Sequence, residues 1–332
     1  MALMVRALRE NEYPAWNAVV AASPEGTIYH DTRWLDPVCK AAGDVFSVYG
    51  FFLGGRLVAG LPLQIRRKGP FTLARRAFAT PYAHPVISPD CAREVAPLLP
   101  GAVAEVGRKH SQTVLTGSPF ASGFGLGPKW RIARRATYLL DISDPDNVWR
   151  GFVYQLRKKI RKAIRLNIKV KAGCTPEAFY QLYRRTFERR GLDIRVSFNR
   201  LADLLNSLAL AHVGKTYAAT TEDGETCAVG LVLFDARRAY HALAGTDVDA
   251  TKAPASALLL WEIIQDLSSS HCQFDLVGAN IPGIIRFKKQ FGGRLVGYDE
   301  ATNYRSNIER MLICTYQYLR KRREAALELE GA

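Results

Sequence analysis

The chain has 332 residues, 48% of them hydrophobic, and its 46 lysines and arginines outweigh 31 aspartates and glutamates to leave a net charge of +15. That length allows one large domain or two, and the composition supports packed cores and excludes a disordered or low-complexity chain. So basic a balance points to phosphate-bearing or polyanionic partners.

In chain order, the pattern predicts a strand over 5–8 and a short helix over 16–21. A second helix starts within 29–35, with Asp31 or Thr32 as its cap. Two apolar, β-branched runs over 45–53 and 56–65 flank Gly54-Gly55 and read as a hairpin. Further strands are predicted at 77–78, 86–87 and 113–116, with a helix over 94–110 and a glycine-rich loop over 118–128. A strand over 136–142 closes the first half, and Ser143-Asp144-Pro145-Asp146 reads as a boundary. A helix over 148–166 and a strand over 168–171 follow. Thr175 and Pro176 open the next helix, and another spans 199–209. Strands are predicted over 216–221, 226–234 and 239–244, a helix over 254–270 and a strand over 273–277 leading into a loop. A strand over 295–303 and a long helix over 305–326 end the chain, the helix with Ile308, Leu312, Thr315 and Leu319 on its apolar face.

The two hairpins echo each other. LGGRLVAGLPLQI (53–65) and EDGETCAVGLVLF (222–234) each carry a glycine turn, a polar step and a strand with an internal glycine, Gly60 or Gly230. A strand glycine marks a bulge or a close backbone approach. One such hairpin per half suggests a duplicated α/β unit.

Several chemistries find no support. The cysteines, 39, 91, 174, 227, 272 and 314, form no CxxC, and most have apolar neighbours, as reduced core thiols in a cytoplasmic protein do. The six histidines show no metal-ligand spacing, so no metal is expected. There is no P-loop and no nucleophile elbow. No apolar run nears the roughly 20 residues that span a bilayer, and the N-terminus lacks a signal-peptide core.

The most informative stretch is 240–293, which reads strand, loop, helix, strand, loop. The helix start near Pro254 suits an anion, because the first amides lack internal partners. Lys252 adds a charge there, and Ala253, Ala255 and Ser256 are small enough to let a phosphate approach. Upstream, 157–171 holds eight lysines and arginines and no acid, a basic stripe with Ile160 and Ile164 on its apolar side.

The ordered motifs Phe274-Asp275, Gly278, Phe287-Lys288 and Phe291-Gly292-Gly293 resemble the second half of FemAB-type transferases and related GNAT acyltransferases of cell-envelope synthesis (FemAB-like or BioF2-like). The basic helix over 156–163, the strand after it and Arg33-Trp34-Leu35 add to the likeness. The resemblance implies an α/β fold of two tandem GNAT-like (acyl-CoA N-acyltransferase) domains, 1–143 and 144–332, with mixed sheets flanked by helices. The two sheets are expected to face each other across a cleft, with the last helix returning to the first domain. It implies an N-acyltransferase moving an acyl group from acyl-CoA to an amine of a small-molecule or cell-envelope precursor. The alternative is a FemAB-type transfer from aminoacyl-tRNA to a peptidoglycan precursor; a non-catalytic basic binder of nucleic acid or membrane is the alternative of another class. The usual glycine-rich pyrophosphate loop of GNAT enzymes is missing at 250–255, which leaves the donor open, while the lack of a helical-hairpin insertion in the second half favours acyl-CoA.

The site implied has Lys288 and Asp275 in the catalytic positions, and Lys252, Ala253, Ala255 and Ser256 on the donor. Arg157, Lys158 and Arg161 face acceptor phosphates, and Gly278, Asn280 and Phe287 line the loop beside the site. Expected partners are a nucleotide- or lipid-linked or small-molecule amine, tRNA, and the inner membrane surface.

Overall fold

The computed structural model describes residues 3–121, 126–189, 191–194, 196–247, 254–278 and 282–330, with side chains through 319. The first half runs β1 (Met4–Ala7), α1 (Tyr13–Ala22), α2 (Thr32–Ala42), β2 (Val45–Leu53), β3 (Arg56–Lys68), β4 (Phe71–Arg75), β5 (Val86–Ile87), α3 (Ala92–Val95), α4 (Leu99–Lys109), β6 (Gln112–Thr116) and β7 (Arg131–Asp141). The second runs α5 (Pro145–Gly151), α6 (Tyr154–Arg165), β8 (Lys169–Ala172), α7 (Pro176–Glu188), α8 (Phe198–Leu210), β9 (Gly214–Thr220), β10 (Thr226–Phe234) and β11 (Arg238–Thr246). It ends with α9 (Ala255–Leu267), β12 (Gln273–Asp275), α10 (Pro282–Lys289), β13 (Arg294–Tyr304) and α11 (Asn307–Glu330).

Local chemistry sets most of these bounds. The Asp31 carboxylate accepts the Arg33 amide at 2.8 Å and caps α2, which ends on left-handed Gly43. Thr175 caps α7 with Pro176 in its first turn. Pro97 and Pro100 break the helix expected over 94–110, because proline lacks the amide that a helix interior needs. The helix expected over 148–166 breaks at Phe152 and Val153. There the Arg157 guanidinium donates to the carbonyls of Trp149, Arg150 and Phe152, closing the end of α5. The strand expected at 77–78 lies instead at Phe71–Arg75.

The expected pair of separate sheets is not what forms. One sheet of 13 strands runs through both halves in the order β1-β2-β3-β4-β6-β13-β7-β12-β11-β10-β9-β8, with β5 on β3. Inward from either end the pattern is the same: three antiparallel pairs, one parallel pair, then an antiparallel pair. The sheet is thus an internal duplication in which the halves exchange their last strands. Strand β7 pairs with β12 of the second half, and β13 pairs with β6 of the first. The antiparallel pairing of β13 with β7 closes the centre. The echoing hairpins are the equivalent pairs β2–β3 and β9–β10. Gly60 is needed for contact, since a Cβ there would lie 2.6 Å from the Trp16 ring, whereas Gly230 sits beside a bulge in the β10–β11 pairing.

One core cluster spans both halves. Tyr29, Trp34 and Tyr82 pack in it with Leu182, Leu201, Tyr240 and Tyr298. The start of α11 touches the first half through Lys68, whose ammonium lies over the Tyr316 ring. Its expected apolar face is not buried: Ile308, Leu312 and Leu319 are exposed, and Ile313 faces inward instead. Only Cys39 and Cys227 are core thiols; Cys272 and Cys314 are exposed. Among the described residues, no helix is long and apolar enough to cross a membrane.

Candidate active site

Strands β11 and β12 are parallel, and α9 connects them. They pair only over 238–240 against 273–275, although β11 continues to Thr246. Beyond Tyr240 the two part, and β11 bulges against β10 at the same level. The carboxyl ends of parallel strands and the amino end of their crossover helix meet on one side of a sheet, and the opening there is a natural ligand site. The Thr246 and Ser256 hydroxyls, 2.7 Å apart, pin the start of α9 to the end of β11.

Asp275 ends β12 and is fully buried. Its Oδ2 accepts the Tyr82 hydroxyl at 2.5 Å, and its Oδ1 accepts the Thr137 hydroxyl at 2.6 Å and the Val277 amide at 2.8 Å. Burial pushes this carboxyl up, and the Thr137 and Tyr82 hydrogen bonds oppose it. Both side-chain partners come from the first half, Thr137 on the exchanged strand β7 and Tyr82 on the segment between β4 and β5. Through these contacts Asp275 holds the two halves and the following turn in register.

That turn is where Lys288 arrives. Val277 and Gly278 both have positive φ, 49° and 69°. Lys288, buried on α10, donates its ammonium to the carbonyls of Leu276 and Val277 and, at 3.2 Å, of Gly278. Burial pushes its pKa down to about 8, partly offset by the Asp275 charge. His241 on β11 is held neutral, pushed down to about 3 by burial first and the Lys288 charge second. The motif thus lies on a helix, not on the loop expected from sequence, and Pro282 is the first residue of that helix.

The other expected residues divide. Gly278 supplies a positive-φ turn carbonyl to Lys288, and Phe287 packs against Phe291 with ring centroids 5.3 Å apart. Ala255 opens α9 but turns its side chain into the core. Arg157 turns its Nη1 to three carbonyls at the end of α5 and is half-buried. Lys158 and Arg161 face solvent, Arg161 lying 5.7 Å over the Trp149 ring. Ile164 is 52% exposed, so it lies off the buried face of α6. Lys252, Ala253 and Asn280 lie outside the described residues, as do residues 122–125 of the glycine-rich loop. Among the described residues, no cluster of histidines, cysteines and acids could hold a metal ion. Sequence reasoning missed Tyr82 and Thr137, whose roles exist only across the halves, and Tyr29, whose buried hydroxyl has no hydrogen-bond partner among the described residues.

The family described as acetyltransferase (GNAT) domain matches residues 150–289. This segment is a GNAT domain. No curated protein sequence matches the chain. Solved structures do, at identities that establish the fold alone. FemX superposes with a TM-score of 0.67 at 13% identity, over 89% of this chain and 96% of that one. A tandem GNAT protein from the clavulanic acid biosynthesis pathway gives 0.55 at 13%, over 92% and 99%. L-PGS from Bacillus licheniformis gives 0.55 at 11%, over 94% and 97%. The GNAT domain contains Asp275, Lys288 and the start of α9, but Tyr82 and Thr137 fall outside it. Its central carboxylate is therefore completed by the other repeat, which the whole-chain likeness to tandem-GNAT structures accommodates.

Proposed function

We propose that the chain is an N-acyltransferase that moves an acyl group from acyl-CoA to an amine, with its donor site in the second half, 144–332. The observation that carries this reading is the buried Lys288 ammonium at the mouth where β11 and β12 part. The donor phosphates lie at the amino end of α9, near Ser256. The acceptor nitrogen attacks the thioester carbonyl, so a C–N bond forms, the C–S bond breaks, and coenzyme A leaves as the thiol with a proton from the amine. Proximity supplies much of the rate. Lys288 stabilises the oxyanion by releasing its longest contact, the one to Gly278, as charge builds on the carbonyl oxygen. No covalent enzyme intermediate forms. The acceptor is an amine on a small molecule or a cell-envelope precursor.

The test pairs a binding and a turnover measurement. Acetyl-CoA should raise the melting temperature, and free thiol should appear when an amine panel is added. Stabilisation by aminoacyl-tRNA with none by acetyl-CoA would move the donor to the FemAB-type alternative. An acyl group trapped on exposed Cys272 would overturn direct attack.

A further inference from the structure

Helix α6 buries Leu156, Ile160 and Ala163 against the core. Its opposite side carries Tyr154, Lys158, Arg161 and Arg165, spaced as one stripe on a helix. With Ile164 these residues line a surface cavity of about 470 Å³. No aspartate or glutamate occurs between Asp146 and Glu177. Among the described residues, no acid pairs with Lys158, Lys159, Arg161, Lys162 or Arg165; Glu222 reaches this end of the helix but bonds Asn167. Exposed apolar side chains sit among these cations: Val153 is 42% exposed, Tyr154 63%, Ile164 52% and Leu166 47%.

We propose that this face of α6 docks on an anionic phospholipid surface. Uncompensated cations call for a polyanion, and the interleaved apolar groups decide which kind. A nucleic-acid backbone would satisfy the cations but leave Val153, Ile164 and Leu166 in water. A bilayer interface takes both: the aliphatic and tyrosyl groups enter the acyl boundary, and the lysines and arginines reach the headgroup phosphates. The amino end of α6 also adjoins the end of α10, with the Val153 amide donating to the Gln290 carbonyl at 3.0 Å and Lys159 to the Gln290 side chain at 3.3 Å. Docking on α6 therefore brings the helix that carries Lys288 toward the lipid surface. The inference stands on surface chemistry and not on the transferase reading, so either can fail alone.

The experiment is sedimentation of the full-length protein with phosphatidylglycerol/phosphatidylcholine vesicles and with phosphatidylcholine vesicles. Binding should favour the anionic vesicles by at least about tenfold and weaken with salt. Lys158→Glu/Arg161→Glu/Arg165→Glu should lose at least about tenfold in binding. Tyr154→Ser/Ile164→Ser/Leu166→Ser, which keeps every charge, should lose a comparable amount. Equal binding to both vesicles overturns the proposal, as does an apolar variant that binds like wild type. Deacylated tRNA that binds more tightly than the vesicles, indifferent to the apolar variant, makes the face an RNA site instead. Hydrogen exchange on the unmodified protein guards against misfolded variants: anionic vesicles should slow exchange over 153–166, and no protection there also overturns the proposal.

Discussion

Tyr82 and Asp275 stand 193 residues apart in sequence, yet the Tyr82 hydroxyl donates to the Asp275 carboxylate at 2.5 Å. The bond joins the two halves of the chain. Removing one partner of a buried hydrogen bond leaves the other desolvated, so Tyr82→Phe should cost about 1.5–3 kcal/mol, with Thr137→Val similar. Urea unfolding measures both. Because one core cluster spans the halves, each variant should lower a single cooperative transition; a loss confined to one of two separate transitions would contradict the shared core.

The second-half motif was legible in the sequence because its parts are local. Phe274-Asp275, Phe287-Lys288 and Phe291-Gly292-Gly293 lie within 20 residues, and their order carries the resemblance. The duplicated hairpins were legible too, since glycine turns and period-two runs are written in neighbouring residues. What the sequence could not state was the strand exchange. Both β7 and β13 read as ordinary strands, and nothing local says that each pairs with the opposite repeat. The partners of Asp275 were hidden for the same reason. The local task of Arg157 was hidden as well: a basic stripe looks uniform, whereas the fold sets the Nη1 of this one arginine on three carbonyls at the end of α5.

Gly292 gives the terminal glycine pair a physical reason. It has φ of 71°, and a Cβ there would lie 2.3 Å from the Gly151 carbonyl oxygen, a backbone atom that cannot swing aside. Gly278 has a similar φ of 69° but, among the described residues, nothing within 4 Å of its Cβ position. Gly278→Ala should therefore cost only the left-handed strain, about 1–2 kcal/mol. Gly292→Ala adds a clash between α5 and the end of α10 and should cost at least about 3 kcal/mol. Denaturation midpoints of the two variants compare them directly, and equal losses would mean that the Gly151 contact is not fixed.

Buried histidines set the acid limit. Burial pushes His84 and His110 down to about 4 and His241 down to about 3. The His84 Nδ1 lies 2.9 Å from the Pro85 carbonyl, which can only accept, so Nδ1 carries a proton, and burial keeps the ring neutral near pH 7. A histidine whose folded pKa lies below its unfolded value contributes stability fully above about 6.5 and loses it as pH falls toward the folded value. Each should withdraw on the order of 3 kcal/mol between pH 6.5 and 4. Urea unfolding at pH 7, 6 and 5 should show the decline, and His84→Gln should flatten its slope. Glu12 and Asp90, both lowered to about 2, lose their stabilisation only as pH falls through and below the ordinary carboxylate range, under the pH 7 to 5 points compared.

Lys288 couples structure to turnover. All of its ammonium contacts are carbonyls of 276–278, so Lys288→Ala removes a charge and also orphans a turn. Turnover should fall roughly ten- to a thousandfold, with donor affinity little changed, because the charge matters most when the carbonyl oxygen becomes negative. Exposed Lys289→Ala is the control for general electrostatics. The pH profile separates charge from scaffolding. A lysine pushed down to about 8 is cationic below that value and neutral above it, so turnover should fall as pH rises through about 8. Lys288→Arg keeps its charge throughout that range and should abolish this limb, while rescuing the rate poorly, because a planar guanidinium cannot direct its donors onto three turn carbonyls from the same buried position. A limb that persists in Lys288→Arg belongs to another group. Full activity in Lys288→Ala, or a defect wholly in donor affinity, would leave Lys288 as a structural clasp on the β12 turn and nothing more.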